Sequence, residues 1–217
     1  MHTTYTILPI LQLKVLASDP YIQVLSDNTA PSAGKTAVLE LETLTCLEGS
    51  DGVLCMNRST IYLRGAGGFS DSSQPFSYAT YAANEVSNVT FPDSTPSAAY
   101  EDRTQSSQTL LCGLSGYFDP LHSDPTFAEA AGFSHPMPGL STLGFAVRAV
   151  MRSFCSMEPA AVRRISCRSL HQIYPGETLV TEVFFFSRSV YYRTRVKERG
   201  RAVLSEYVLL EHITSPL

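Results

Sequence analysis

The 217-residue sequence contains no uninterrupted apolar run of about 18 residues, the length that a membrane-spanning helix requires. Its first apolar stretch, residues 7–16, follows no Lys or Arg and contains Pro9 and Lys14. A secretory signal peptide begins with a basic region and ends at a small-residue cleavage site, so we do not interpret this stretch as one. We therefore expect an intracellular, cytoplasmic protein without a membrane association.

Cysteine is scarce, and no metal-binding pattern is present. The five cysteines form no CxxC pair and have no metal-type spacing with His. They are Cys46, Cys55, Cys112, Cys155 and Cys167. An odd number of widely spread cysteines favours reduced thiols inside the cell. We expect neither a metal ion nor another cofactor.

A dense basic cluster with interleaved aromatic residues is also missing, and the pI is about 5.7, which argues against nucleic acid as a partner. The charge is unevenly distributed. Residues 1–147 carry 5 basic and 14 acidic side chains, whereas residues 148–217 carry 11 basic and 6 acidic ones. This cationic C-terminal third is consistent with an anionic ligand, such as a phosphate-bearing carrier, and equally with a solvated Arg face.

The N-terminal half contains one clear hairpin pattern. Residues 35–46 alternate, residues 53–63 form a second extended run, and the turn sequence GSDG lies between them. The second run leads into the glycine-rich sequence RGAGGF at residues 64–69. Residues 70–108 are rich in Ser, Thr, Pro, Asn and Asp, and we interpret them as a long connector.

The C-terminal half predicts a short helix, a long helix and four strands. Asp124-Pro125 is typical of a helix start, and the short helix that follows ends at Gly132. An apolar stripe with helical spacing then consists of Leu140, Leu143, Val147, Val150 and Phe154. Strands are predicted at residues 162–170, 178–186, 190–197 and 202–210. The pattern favours an α+β architecture with an antiparallel sheet packed on one long helix.

The loop before the short helix places one histidine, His122, within six residues of two carboxylates, Asp119 and Asp124. Histidine is the side chain best suited to proton transfer near neutral pH. A loop histidine beside an aspartate is also common as a purely structural hydrogen-bonding group. For Asp124, helix capping is the preferred interpretation over catalysis.

Several segments together resemble the MaoC-like family of (R)-specific enoyl-CoA hydratases and dehydratases, which have hot dog folds. LSGYFDPLHSDP at residues 114–125 and PMPGLSTLGF at residues 136–145 resemble the family's hydratase-2 motif. RGAGGF resembles the segment that ends the first hot dog of two-hot-dog members, and YPGETL at residues 174–179 resembles a turn and strand near the family's C-terminus.

The resemblance implies a double hot dog in which an antiparallel sheet wraps a long central helix. The implied domains are a reduced N-terminal hot dog at residues 1–69, the connector at residues 70–108 and a C-terminal MaoC-like hot dog at residues 109–217. The alternative for the short first half is a defective gene model. Because hot dog folds commonly pair edge to edge, a homodimer is expected.

The resemblance also implies a mechanism. In the family, an Asp and a His on this loop share the water molecule that is added or removed, and a backbone N–H at the helix start stabilises the thioester enolate. Acid/base chemistry is thereby assigned to His122, and enolate stabilisation to the Gly139 N–H. The resemblance further implies substrate contacts at Gly67, Gly68, Phe69 and Leu140.

The motif departs from the family pattern GDxNPLH at its catalytic positions. Tyr117 stands where the family has the catalytic Asp, and Asp119 stands where it has Asn. Pro138 replaces the His that usually precedes the helix-start glycine. A tyrosine with a pKa near 10 is a poor base at pH 7, although it can donate a proton or hydrogen bond.

Two hypotheses follow. The first is a dehydratase or hydratase, a lyase acting on a bulky β-hydroxyacyl or enoyl thioester, or on a related polyketide intermediate, in specialised biosynthesis. The carrier would be CoA or a carrier protein. The second is a non-hydrating hot dog protein that binds a hydrophobic intermediate and steers its isomerisation or cyclisation. The C-terminal Ser215-Pro216-Leu217 resembles a peroxisomal signal without its basic middle residue, so the peroxisome is the alternative location.

Overall fold

The computed structural model describes residues 2–7, 15–29, 35–47, 53–64, 89, 91, 95–186 and 189–211. The chain divides into two compact units. One comprises Met1–Thr90 together with Arg163–Ser166, and the other comprises Phe91–Val162 together with Cys167–Leu217.

The described strands of the first unit form an antiparallel arrangement. They are β1 (His2–Ile7), β2 (Val15–Thr29), β3 (Lys35–Leu47) and β4 (Val53–Arg64), in the order β2-β3-β4-β1. The pairing of β3 with β4, with Leu39 opposite Ile61, confirms the hairpin that the sequence predicts. Most of the apolar stretch 7–16 and most of the glycine-rich segment 64–69 lie outside the described residues.

The second unit contains an antiparallel sheet in the order β9-β8-β7-β5. Its strands are β5 (Ala98–Arg103), β7 (Thr178–Phe186), β8 (Ser189–Val196) and β9 (Arg201–Leu210). The strand β6 (Val162–Ser169) precedes them, and just beyond it the Leu170 N–H donates to the Val203 carbonyl at 2.9 Å. The four strands predicted after the long helix are therefore confirmed, with ends that differ by one residue at most.

Alternation along β8 determines which side chains enter the core of this unit. Val190, Tyr192, Thr194 and Val196 are buried, whereas the intervening residues are half-buried. Thr194 satisfies its hydroxyl through a 3.0 Å hydrogen bond to the hydroxyl of Thr181 on β7. A buried hydroxyl without a partner would cost about 1–3 kcal/mol, so this cross-strand pair lets two polar residues occupy an apolar core.

The long helix, α4, spans Gly139–Phe154 and packs against β5, β7, β8 and β9. Its C-terminal end is fixed by Phe154, whose ring stacks on that of Phe185 at a centroid distance of 5.0 Å. An antiparallel sheet packed on one long helix is the α+β architecture that the sequence predicts.

The buried face of α4 is rotated relative to the predicted stripe. It consists of Thr142, Leu143, Ala146, Ala149, Val150, Ser153 and Phe154. Leu140 is 46% exposed and Val147 is only half-buried, so these two predicted core positions are wrong. The small residues Ala146, Ala149 and Ser153 lie on this buried face. Their short side chains allow the helix to approach the sheet closely. A stripe drawn from large apolar residues alone overlooks them.

Strand β5 falls within the stretch that the sequence analysis assigns to the connector. Residues 98–103 pair antiparallel with β7, with Tyr100 opposite Thr181, and they belong to the second unit rather than to a surface crossing. Alternate residues are half-buried and exposed, so the strand covers the sheet with one face only.

Cys55, Cys112, Cys155 and Cys167 are free thiols. Burial raises the pKa of Cys155 to about 11 and that of Cys167 to about 12, so both are protonated and unreactive at neutral pH. In the described part of the chain, no group of three His, Cys, Asp or Glu side chains is arranged to hold a metal ion. None of the described helices has the length and apolar character needed to cross a membrane.

Candidate active site

Three short helices precede α4 and carry the candidate residues. They are α1 (Gln108–Leu114), α2 (Pro120–Ser123) and α3 (Pro125–Ala130). Gly116 has a φ of 88° and makes the turn between α1 and the loop, a conformation that glycine adopts without strain.

Two Asp-Pro pairs start α2 and α3. Asp119 Oδ1 accepts a hydrogen bond from the Leu121 N–H at 2.9 Å, and Asp124 Oδ1 accepts one from the Thr126 N–H at 2.8 Å. The predicted capping role of Asp124 is thereby confirmed. Asp119 has the same role, which the sequence analysis overlooked although the same Asp-Pro signal is present.

The geometry around His122 fixes its protonation pattern. Its Nδ1 lies 2.7 Å from the carbonyl oxygen of Pro136. A carbonyl oxygen can only accept, so Nδ1 carries a hydrogen and donates it. In the neutral ring, Nε2 then holds the lone pair, and the half-buried imidazole has a single nitrogen ready to accept a proton.

A second histidine, His135, contacts the backbone of His122 through its own ring. Its Nε2 lies 2.6 Å from the backbone carbonyl oxygen of His122, to which it donates. His135 has a φ of 54°, a left-handed conformation that costs a residue other than glycine roughly 1–3 kcal/mol. No motif in the sequence singles out His135 as a site residue.

Tyr117 lies beside His122 with its ring tilted. The two ring centroids are 5.9 Å apart at an interplanar angle of 34°. Partial burial, followed by the negative charge of Asp119, raises the pKa of the Tyr117 phenol. Tyr117 is therefore protonated at neutral pH, and it is a hydrogen-bond or proton donor rather than a base.

Gly139 and Leu140 are the first two residues of α4. The N-terminal N–H groups of a helix have no partner within it, and the helix dipole is positive at that end. Pro138 occupies the capping position and makes no side-chain cap. Both residues are exposed.

The structure thus places Tyr117 and Asp119 on the loop that leads into α2, and His122 within α2. The His122–Pro136 hydrogen bond connects this segment to the α4 start, because Pro136 lies three residues before Gly139. The predicted substrate contacts Gly67, Gly68 and Phe69 lie outside the described residues. Leu140 is exposed at the helix start, as a substrate contact would have to be.

In the cationic C-terminal third, the arginines that we expect to contact an anionic carrier are Arg148, Arg152, Arg193 and Arg195, and three of them are paired within the protein. Arg148 forms an ion pair with Asp102, whereas Arg193 and Arg195 both pair with Glu182. Asp102 balances the charge of Arg148, whereas Arg193 and Arg195 share one carboxylate and retain one positive charge between them. Local pairing of most of this charge favours a structural, solvated face over an anion site.

Apolar side chains flank the loop and face solvent, a feature that the sequence analysis did not anticipate. Leu110, Leu111 and Leu114 of α1 are exposed, the last to 87%, and Phe118 is 75% exposed. Exposed apolar side chains of this kind are suited to binding an apolar ligand or partner.

Comparison with known proteins places these features in context. Residues 87–206 match the family model of the MaoC-like domain. The chain is 52% identical over 185 residues to "Enoyl-CoA hydratase 2, peroxisomal" of Arabidopsis thaliana, which covers 85% of this chain and 60% of the plant protein. It thus spans about 60% of that relative's length.

Two solved structures show the fold. The full-length peroxisomal multifunctional enzyme type 2 of Drosophila melanogaster superposes with a TM-score of 0.75 at 28% identity, over 97% of this chain and 36% of the fly protein. A Mycobacterium tuberculosis protein with a double hot dog fold superposes with a TM-score of 0.54 at 14% identity, over 97% of this chain and 75% of that protein. The predicted double hot dog fold class is thereby confirmed.

Proposed function

The chain belongs to the MaoC-like domain family, and from that membership we propose that it is a lyase. It adds water to, or removes water from, the carbon–carbon double bond of an acyl thioester, and His122 is the general acid/base. The observation that supports this most directly is the His122–Pro136 hydrogen bond, because it leaves Nε2 as the proton-accepting nitrogen.

In the hydration direction, Nε2 of His122 takes a proton from water while the water oxygen forms a bond to the β carbon. The electron pair of the double bond moves onto the thioester oxygen, where the Gly139 N–H stabilises the developing negative charge. A proton from a second acid in the loop then reaches the α carbon, and the proton on His122 restores that acid. One water molecule is added in total.

Tyr117 is the preferred second acid, because its raised pKa keeps it protonated. Asp119 is the alternative: its Oδ2 would receive the proton that His122 has taken and pass it to the α carbon, since Oδ1 accepts from Leu121. A phenol at the position where the resemblance expects a carboxylate supports an altered substrate rather than a simple enoyl-CoA. We propose a bulky β-hydroxyacyl or enoyl thioester, on CoA or a carrier protein, in a specialised pathway such as polyketide biosynthesis.

The organisation of the protein is also proposed. The boundaries 1–69, 70–108 and 109–217 are kept for the two hot dogs and the connector, with β5 added to the second hot dog. The Arabidopsis relative is described as peroxisomal, which supports a peroxisomal location as the alternative to the cytoplasm. A homodimer is the proposed assembly.

A second candidate is supported by the exposed apolar patch of α1 and by the phenol at position 117. In this alternative, the protein binds a hydrophobic intermediate and steers its isomerisation or cyclisation, with Tyr117 as the donor. The patch supplies apolar area for such an intermediate, and no water needs to be activated.

The proposal is tested by comparing His122→Ala with His171→Ala, a matched histidine variant outside the loop. Hydration of trans-2-enoyl-CoA thioesters of increasing acyl bulk is followed by loss of the enoyl absorbance. His122→Ala is expected to lower turnover by roughly 10²–10⁴-fold, the range for a positioned acid or base. His171→Ala should leave turnover unchanged. Full activity of His122→Ala on every thioester would eliminate the acid/base assignment.

A further inference from the structure

The two histidines of the site are joined by a pair of crossed hydrogen bonds. His122 Nδ1 donates to the carbonyl of Pro136 at 2.7 Å, and His135 Nε2 donates to the carbonyl of His122 at 2.6 Å. Each histidine ring therefore binds backbone of the segment that carries the other one. We call this arrangement the histidine clasp.

The segment on the far side of the clasp is rigid. Pro136, Met137 and Pro138 are all buried, and the two prolines have restricted φ angles. The Met137 N–H donates to the Ile173 carbonyl at 2.7 Å, which ties the segment to the loop after β6. The Pro136 carbonyl is consequently a fixed reference point for the His122 ring.

Helix α2, which contains His122, is held less firmly than this segment. Helix α2 has only four residues, and Pro120, Ser123 and Asp124 beside His122 are all exposed. So short a helix has little stability of its own, because few hydrogen bonds offset the cost of ordering it. The bond from His135 to the His122 carbonyl is a contact that holds this turn against the rigid segment.

We propose that His135 is a positioning residue for His122: it fixes the α2 backbone so that the His122 ring keeps its Nδ1–H bond to Pro136 and presents Nε2 to the substrate. The proposal rests on the acid/base role of His122 given above. His135 itself acts through its ring N–H and takes no proton during turnover. Its left-handed backbone is tolerated because the clasp compensates for it.

The first test is spectroscopic and uses the unaltered protein labelled with 15N-histidine. At a pH where both rings are neutral, long-range ¹H–¹⁵N spectra should show His122 as the Nδ1–H tautomer and His135 as the Nε2–H tautomer. An Nδ1–H tautomer at His135 would overturn the proposal, because that ring could not then donate to the His122 carbonyl.

The second test compares His135→Gly with His135→Gln and with Ser156→Gly. The His135→Gly change removes the donor and also relieves the positive φ, whereas Ser156→Gly relieves a similar φ of 47° beyond the end of α4. His135→Gly should lower kcat by about 10- to 100-fold with KM changed by no more than about twofold, and the His122 spectrum should show mixed tautomers. Ser156→Gly should match the parent protein.

His135→Gln restores an N–H donor and should recover part of the lost kcat and the single His122 tautomer. A parent-like kcat in His135→Gly would refute the positioning role of His135. The proposed function would not be affected by that result, because His122→Ala tests it separately. If His135→Gly unfolds, the Gln variant and the tautomers of the unaltered protein decide the matter. Failure of His122→Ala to reduce activity would instead refute the proposed function.

Discussion

The hydroxyl oxygen of Ser169 lies 3.3 Å from the position that a Cβ atom on Gly139 would occupy. A side chain at Gly139 would therefore press on the Ser169 hydroxyl at the end of β6, and either this side chain or the first turn of α4 must move by a few tenths of an ångström. The proposed enolate site consists of the N–H groups of that turn, so their position depends on this close approach.

We expect Gly139→Ala to lower kcat by about tenfold or more, since positioned hydrogen-bond donors to an oxyanion contribute roughly 10²–10³-fold. Gly144→Ala is the matched control, because no atom lies within 4 Å of a Cβ there, and it should raise helix stability by about 0.5–1 kcal/mol. Adding Ser169→Ala to Gly139→Ala should recover activity. Steady-state kinetics and thermal melts of the four proteins check this, and no recovery would argue against the steric explanation.

The loop substitution can be reversed by the paired change Tyr117→Asp and Asp119→Asn. If the protein is a hydratase, this pair restores the family pattern and should raise hydration of a simple trans-2-enoyl thioester. If it steers isomerisation or cyclisation, the loss of the phenol should abolish that reaction without any gain in hydration. Product analysis by mass spectrometry separates the two outcomes, because only hydration adds the mass of water.

Asp119 combines a helix cap with a negative charge, and two substitutions separate these roles. Asn caps a helix about as well as Asp, so Asp119→Asn should leave thermal stability unchanged, whereas Asp119→Ala should cost about 1 kcal/mol. If the carboxylate is the working partner of His122, both variants should lose activity to a large and similar extent. Loss in the Ala variant alone would mean that capping is the sole role of Asp119.

The same Asp119→Asn variant gives a prediction for the pH profile. Asp119 contributes to the raised pKa of Tyr117, so removing its charge should move that pKa down toward the ordinary value of about 10. If Tyr117 donates a proton during turnover, activity falls as the phenol ionises. The alkaline limb of kcat/KM should then begin above pH 10 in the parent protein and shift to lower pH in the variant. An unchanged limb would exclude the phenol as that acid.

The core of the second unit makes a prediction about stability. Leu143 is 5% exposed and Leu140, three residues earlier on the same helix, is 46% exposed. Leu143→Ala should lower the free energy of unfolding by about 2–5 kcal/mol, whereas Leu140→Ala should change it by less than about 1 kcal/mol. Denaturant titration measures both, and equal effects would contradict the orientation of α4.

Local signals in the sequence were sufficient for much of the fold. Alternation predicted β8 and its buried face, and Asp-Pro predicted the start of α3, because each depends on residues a few positions apart. Strand β5 was missed because its six residues lie in a Ser- and Pro-rich stretch and pair with β7, about 80 residues away. The α4 face was misoriented because Ala146 and Ala149 do not stand out among larger apolar residues.

Only part of the candidate site could be predicted from the sequence. The resemblance singled out Tyr117, His122 and Gly139, and the structure gives each a measurable environment. No sequence pattern indicates the contact of His135, because its partner is a backbone carbonyl 13 residues away, and every residue type has a backbone carbonyl. Side-chain-to-backbone contacts across loops follow from the folded path of the chain rather than from residue identity.

The short strand β5 has a consequence for self-association. Among the described strands of its unit it lies at the sheet margin, where its outer N–H and C=O groups offer a template for another chain. It is only six residues long and includes Glu101, Asp102 and Arg103, with Glu101 held by Lys197. A short edge strand with charged side chains resists pairing with another strand, because the incoming strand gains few hydrogen bonds and meets these charges. This margin is therefore protected against amyloid-like stacking, and a homodimer is expected to form through a different surface.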